Sequence, residues 1–130
     1  MANPNIVNVA TINGGSLGFH LTTTAATALI TATAEYIIKI NSILVANVDG
    51  TNSATVDARI VKANHTPLGI TNFDTSGTFY IAKTVNVPAD DILVLVDKPL
   101  YLLEGDVLQG SASAASDLDL FLSYEVIIDA

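Results

Sequence analysis

Near its C-terminus the chain alternates. Leu118, Leu120, Leu122, Tyr124, Val126 and Ile128 occupy every second position, with Asp119, Phe121, Ser123, Glu125, Ile127 and Asp129 between them. A side-chain period of two puts each set on its own face of an extended ribbon. The segment therefore predicts a half-buried antiparallel strand with the leucine set facing a core. From Val85 onward, the breakers Pro88, Asp90-Asp91, Asp97-Lys98-Pro99, Glu104-Gly105-Asp106 and Ala115-Ser116-Asp117 divide the chain into four apolar runs. Runs of this length bounded by turn residues read as strands. Thr78 to Val87 reads as another, with Phe79, Ile81, Val85 and Val87 on one face.

The longest strand candidate is Tyr36 to Val48. Lys39 and Asn41 point outward at its start, and Ile43 to Ala46 is apolar on both faces, which predicts a central strand covered on both sides. Asp49-Gly50-Thr51-Asn52 reads as a tight turn. Ala54 to Ala63 follows, with Ala54, Val56, Ala58 and Ile60 inward and Thr55, Asp57 and Arg59 outward. The two runs and their turn predict a β-hairpin.

The N-terminal third is less regular. Residues 1–12 read as an extended arm or first strand, from the β-formers Ile6, Val7, Val9 and Ile12 among helix-discouraging asparagines. Asn13-Gly14-Gly15-Ser16 is a turn signal. The threonine-rich stretch after it predicts two short strands, Leu17–Thr23 and Ala28–Thr33. Residues 64–77, with Pro67, Gly69 and Gly77, predict a long loop, the kind of element with which a domain often touches a partner. The pattern sums to eight to ten strands without a fixed-period repeat. It predicts one all-β domain over 1–130: a single antiparallel β-sandwich of jelly-roll type with an extended N-terminal arm.

Composition narrows the function classes. Half of the 130 residues are hydrophobic, yet the longest apolar runs, such as Ile92 to Val96, fall far short of the about twenty residues of a bilayer helix. The opening residues lack a basic segment followed by an apolar one, so neither a signal peptide nor a membrane partner is expected. No cysteine is present, which excludes disulfides, thiolate metal sites and a thiol nucleophile. The net charge is −8, and Lys39, Arg59, Lys62, Lys83 and Lys98 are scattered singly. With no basic patch to hold phosphates, nucleic acid is not an expected partner. The acidity keeps an apolar chain from non-specific association.

Catalytic vocabulary is thin. His20 and His65 are the two histidines, and a hydrolase would need a hydroxyl and an orienting carboxylate beside one of them. The acid pairs Glu104/Asp106 and Asp117/Asp119 would each share a strand face and suit a hard cation. They sit at turn edges, where acids serve the local backbone. Asp49-Gly50-Thr51-Asn52 is half of a calcium loop without its terminal Glu, and Gly14-Gly15-Ser16-Leu17-Gly18 lacks Walker order. No enzyme, metal or cofactor is expected.

Binding is the remaining theme. The small residues of Gln109 to Ala115 suit close approach of another backbone, within the sandwich or across a subunit contact. Candidate partner contacts are Asn3, Ile6 and Val7 in the arm, His65, Leu68, Ile70 and Phe73 in the long loop, and Gly110, Ala112 and Ala114 in the small-residue strand. A carbohydrate-binding module, with Tyr80, Tyr101 or Phe73 as a sugar platform, is a rival from another class.

Two segments, Lys39 to Ile60 and Ile81 to Ile127, together with the opening ANPNIVNVATI, carry a family resemblance. The recognisable pieces are Asn47-Val48-Asp49-Gly50-Thr51, Val87-Pro88-Ala89, Tyr101-Leu102-Leu103-Glu104-Gly105-Asp106 and Ser123-Tyr124-Glu125. The chain resembles small virion structural proteins of tailed bacteriophages of the cyanophage type, including capsid decoration or cement proteins. The resemblance implies a β-sandwich made in the host cytoplasm and assembled in many copies on the virion. The implied partners are the major capsid protein or other virion proteins. It also implies a homo-oligomer, with a trimer favoured, and leaves tail, neck or fibre as other locations.

Overall fold

The computed structural model describes residues 9–65, 69–74 and 77–129. They form nine strands and, among the described residues, no helix. One sheet contains β1 (Val9–His20), β9 (Leu118–Asp129), β3 (Tyr36–Asn47) and β6 (Ile92–Val96) in that order, with β7 (Leu100–Leu102) also on β3. The second runs β2 (Thr27–Thr31), β8 (Val107–Ala112), β4 (Ala54–Lys62) and β5 (Gly77–Val87). All pairings are antiparallel. β6 pairs with Ile43–Ala46 of β3 and β7 with Ile38–Ile40, so the two are one strand position interrupted at Asp97-Lys98-Pro99. Pro99 has no N–H to donate to a ladder. Taking β6 and β7 together, the order is that of a jelly roll, and the predicted all-β sandwich is what the chain forms.

The core lies between the sheets. Leu118, Leu120 and Leu122 of β9 and Ile43 and Val45 of β3 meet Val56, Leu108, Ala112 and Val87 from the other sheet. Burying each leucine contributes about 1.5–3 kcal/mol. The alternation of β9 thus holds where it is strictest. Further along, Ile127 is buried on the opposite face, directly beside Ile37.

Several expectations are overturned. β3 and β4 are not a hairpin: they lie in different sheets, and Asp49–Asn52 carries the chain across. The same turn residues serve either connection. Here Asn47 selects the crossing: its side-chain amide donates to the carbonyls of Asn52 (3.0 Å) and Val87 (2.9 Å). Nor is β3 covered on both sides over Ile43 to Ala46. A register shift between Ile40 and Ser42 inserts one residue, so Ile38 and Ile40 face inward before it and Ile43 and Val45 after it. The doubly apolar stretch is a change of phase, and Leu44 is exposed.

Asn13 to Ser16 is not a turn but mid-strand, in unbroken register with β9 from Thr11 to His20. The glycines serve packing: a Cβ at Gly15 would lie 2.6 Å from Tyr124 Oη. The predicted strand Leu17–Thr23 is therefore the end of β1, and Ala28–Thr33 corresponds to β2. Of the predicted arm, residues 9–12 belong to β1, whereas Asn3, Ile6 and Val7 lie outside the described residues.

Candidate interaction surfaces

Three regions concentrate chemistry. The first is buried. Asp106, fully enclosed at the start of β8, accepts hydrogen bonds from the backbone N–H of Ala63 (2.9 Å) and of Leu103 (2.9 Å), from His65 Nε2 (3.0 Å) and from Lys62 Nζ. Burial disfavours its charge, but the bonds from Lys62, Ala63, Leu103 and His65 outweigh that, and its carboxyl is held below the ordinary value. Gly105 makes the approach possible, with φ +86° and a would-be Cβ only 2.9 Å from Ala63 Cβ. This cluster ties the end of β4 and the root of the long loop to the β7–β8 turn. His65, expected at a partner contact, is 6% exposed and anchors the root of the loop to Asp106. Sequence reasoning read Glu104-Gly105-Asp106 as a turn edge and missed the hub, whose partners Lys62 and His65 are distant in sequence.

The second region is the outer face of the β1-containing sheet. Gly18, Phe121, Leu44 and Val94 form one cross-strand row. Beside it lies the row His20, Asp119, Ala46 and Ile92. Leu44 (37% exposed), Phe121 (52%), Val94 (53%) and Ile92 (63%) make a contiguous apolar band open to solvent. It is flanked by polar pairs. His20 Nδ1 lies 2.7 Å from Asp119 Oδ1, a contact that raises the pKa of the histidine, chiefly through that hydrogen bond and then through the carboxylate charge. On the other side Ser42 and Ser123 share a hydroxyl hydrogen bond of 2.9 Å. Phe121 lies across Gly18, where a Cβ would sit 3.3 Å from the ring. The band went unread in the sequence because β9 looked amphipathic and β3 looked doubly covered.

The third region is the outer face of the other sheet. Arg59 Nε donates to Gln109 Oε1 (2.8 Å) and Nη1 to Tyr80 Oη (3.1 Å). Lys83 Nζ stands 4.9 Å from the Tyr80 ring centroid. Asp57 accepts the N–H of Thr84, held at φ 53° in a β-bulge. Tyr80 thus belongs to this polar face, whereas Tyr101 pairs with Lys39 on the opposite sheet and Phe73 lies in the long loop. The three aromatics do not share a sugar platform.

The remaining expected contacts divide. Ile70 and Phe73 are exposed on the loop, and Leu68 lies outside the described residues. Gly110 and Ala112 are interior positions of β8, and a Cβ at Gly110 would lie 3.0 Å from Leu29 Cδ1. Their small side chains allow close packing inside the sandwich. Ala114 follows β8 in a half-buried turn. Asp49 likewise holds its own turn, accepting from Thr51 N–H (2.8 Å) and Asn52 Nδ2 (3.3 Å). Those bonds lower its pKa, the Thr51 N–H first. Among the described residues no cluster of acids or histidines has metal-site geometry.

No protein-family model and no curated protein matches the chain. Among solved structures it is similar to a Bacillus endospore appendage protein of a family of disulfide-linked pili, with a TM-score of 0.46 and 11% identity, over 92% of this chain and 88% of that one. It is also similar to VP2 of the infectious bursal disease virus subviral particle, with a TM-score of 0.38 and 14% identity over 93% of this chain. The chain spans about a third of that VP2 chain (34%).

Proposed function

We propose that this chain is a non-enzymatic structural protein of a virion, a capsid cement or decoration protein that bridges neighbouring shell subunits. The observation that carries the reading is the exposed apolar band of Leu44, Phe121, Val94 and Ile92 on an outer sheet face. A patch of this kind rimmed by polar pairs is the form a protein–protein contact takes. The family resemblance supplies the partner class: the major capsid protein or other virion proteins. Clamping adjacent subunits through many repeated contacts makes their separation cost more.

The test is co-sedimentation of purified chain with shells stripped of it. Saturable binding whose copy number tracks the shell subunits, lost in Phe121→Lys and Val94→Lys variants that still fold, supports the reading. Shells that take up none, or variants that bind as well as the parent, overturn it. A copy number of only a few per particle would move the protein to tail, neck or fibre.

A further inference from the structure

Strand edges are where sandwiches associate, and natural proteins protect them with charge, proline, bulges or short length. Three of the four edges here are protected. β2 has five residues; the β6/β7 edge is broken at Asp97-Lys98-Pro99; β5 carries Lys83, two register shifts and the left-handed Thr84. β1 has none of these over Thr11 to His20. It contains no Asp, Glu, Lys, Arg or Pro, and the described residues pair it on one side only, with β9.

The register defines what its free side offers. Leu21, one position past the strand, donates its N–H to the Leu118 carbonyl (3.0 Å). Counting back by twos, Phe19, Leu17, Gly15 and Asn13 also direct their backbone groups at β9. Ile12, Gly14, Ser16, Gly18 and His20 direct theirs outward. Five N–H and five C=O groups thus line an open edge with no Asp, Glu, Lys or Arg on the strand.

The geometry points to a second copy of this chain as the occupant, with the two β1 strands paired antiparallel about a two-fold axis at Ser16. That register sets Ser16 against Ser16, Gly14 against Gly18 and Ile12 against His20 of the second copy. Every outward group finds a partner, about ten hydrogen bonds in all by the antiparallel pattern. The small side chains let the faces close, and the two five-stranded sheets become one continuous sheet. Charge selects the same pairing. Two chains of net charge −8 repel each other, and a strand without Asp, Glu, Lys or Arg, whose His20 lies opposite Ile12 of the second copy, lets their backbones meet without opposing like charges. Pairing β1 with the β6/β7 edge of another copy would satisfy only a short, interrupted ladder. The two-fold pairing goes beyond the virion reading and departs from the trimer implied by the resemblance.

The test is light-scattering mass of the full chain over a concentration series, with circular dichroism as the fold control. The expected result is a dimer in the parent and a monomer in Ser16→Lys, which sets two ammonium groups against each other on the axis. Ser16→Pro, which removes an outward N–H without touching a β9 bond, gives the same result by another route. Amide exchange at Ile12, Gly14, Ser16, Gly18 and His20 slows by about tenfold or more in the dimer relative to Ser16→Lys. A monomeric, trimeric or open-ended parent overturns the pairing, as does a dimer that survives Ser16→Lys. Shell binding is read separately, so either proposal can fail alone.

Discussion

Replacing Asp106 with Asn keeps the volume of the side chain and removes its charge. The carboxylate receives four donors, two on each oxygen: Ala63 N–H and His65 Nε2 on one, Leu103 N–H and Lys62 Nζ on the other. An amide has one accepting oxygen, so two donors must face an NH2 group. Hydrogen bonds to charged groups are each worth about 1.5–3 kcal/mol net. Lys62, with 30% of its side chain exposed, recovers part of its share by turning to water. The backbone N–H groups and His65 have no such exit. The expected loss is about 3–4 kcal/mol, within the range for removing one partner of a buried ion pair. For a domain of this size that corresponds to about 10–15 °C in melting temperature. Urea unfolding followed by near-ultraviolet circular dichroism of the tyrosines measures it, with the slope unchanged. The pH dependence adds a second check. A carboxyl whose pKa is lowered on folding contributes stability above its unfolded value of about 3.9 and loses it as pH falls through the folded value. The gap between parent and variant should therefore be constant from neutral pH down to about 5 and narrow below about 4. A loss under about 1 kcal/mol, or a gap that widens in acid, would refute the account.

Further substitutions probe the backbone and the sheet. Gly105→Ala must place a Cβ 2.9 Å from Ala63 Cβ at φ +86°, whereas Gly69→Ala at φ +74° meets nothing within 4 Å. Thermal melts should show the first costing more than the second, which carries only the left-handed penalty of about 1 kcal/mol. Thr84→Gly relieves a β-branched residue at φ 53° and should raise stability by up to about 1 kcal/mol; a loss instead would mean that the Thr84 side chain matters more than its backbone. Gly15→Ala drives a methyl into the Tyr124 ring and should cost about 1–3 kcal/mol. Tyr124→Leu should recover part of that cost, so a double-mutant cycle with coupling under about 0.5 kcal/mol would argue against the contact.

The C-terminal third was legible in advance. Its breakers bound β6 to β9, and the strict alternation of Leu118, Leu120 and Leu122 marks a core face, because side-chain period is a property of the strand itself. The all-β class and the sandwich follow from many such segments in a chain without helical periodicity. What could not be read locally was everything that needs a partner strand. Asp49–Asn52 joins two sheets and not a hairpin, since the same turn residues suit both and only the distant acceptor at Val87 distinguishes them. Gly14 and Gly15 look like a turn until Tyr124 is laid over them. The bulge at Asn41 exchanges the faces of β3, so Leu44 emerges beside Phe121 and a surface band appears where a covered strand was expected. Asp106 becomes a hub only when Lys62 and His65, some forty residues upstream, are folded against it. Alternation along the chain decides which residues can share a face; pairing across the sheets decides whether that face meets the core or the solvent.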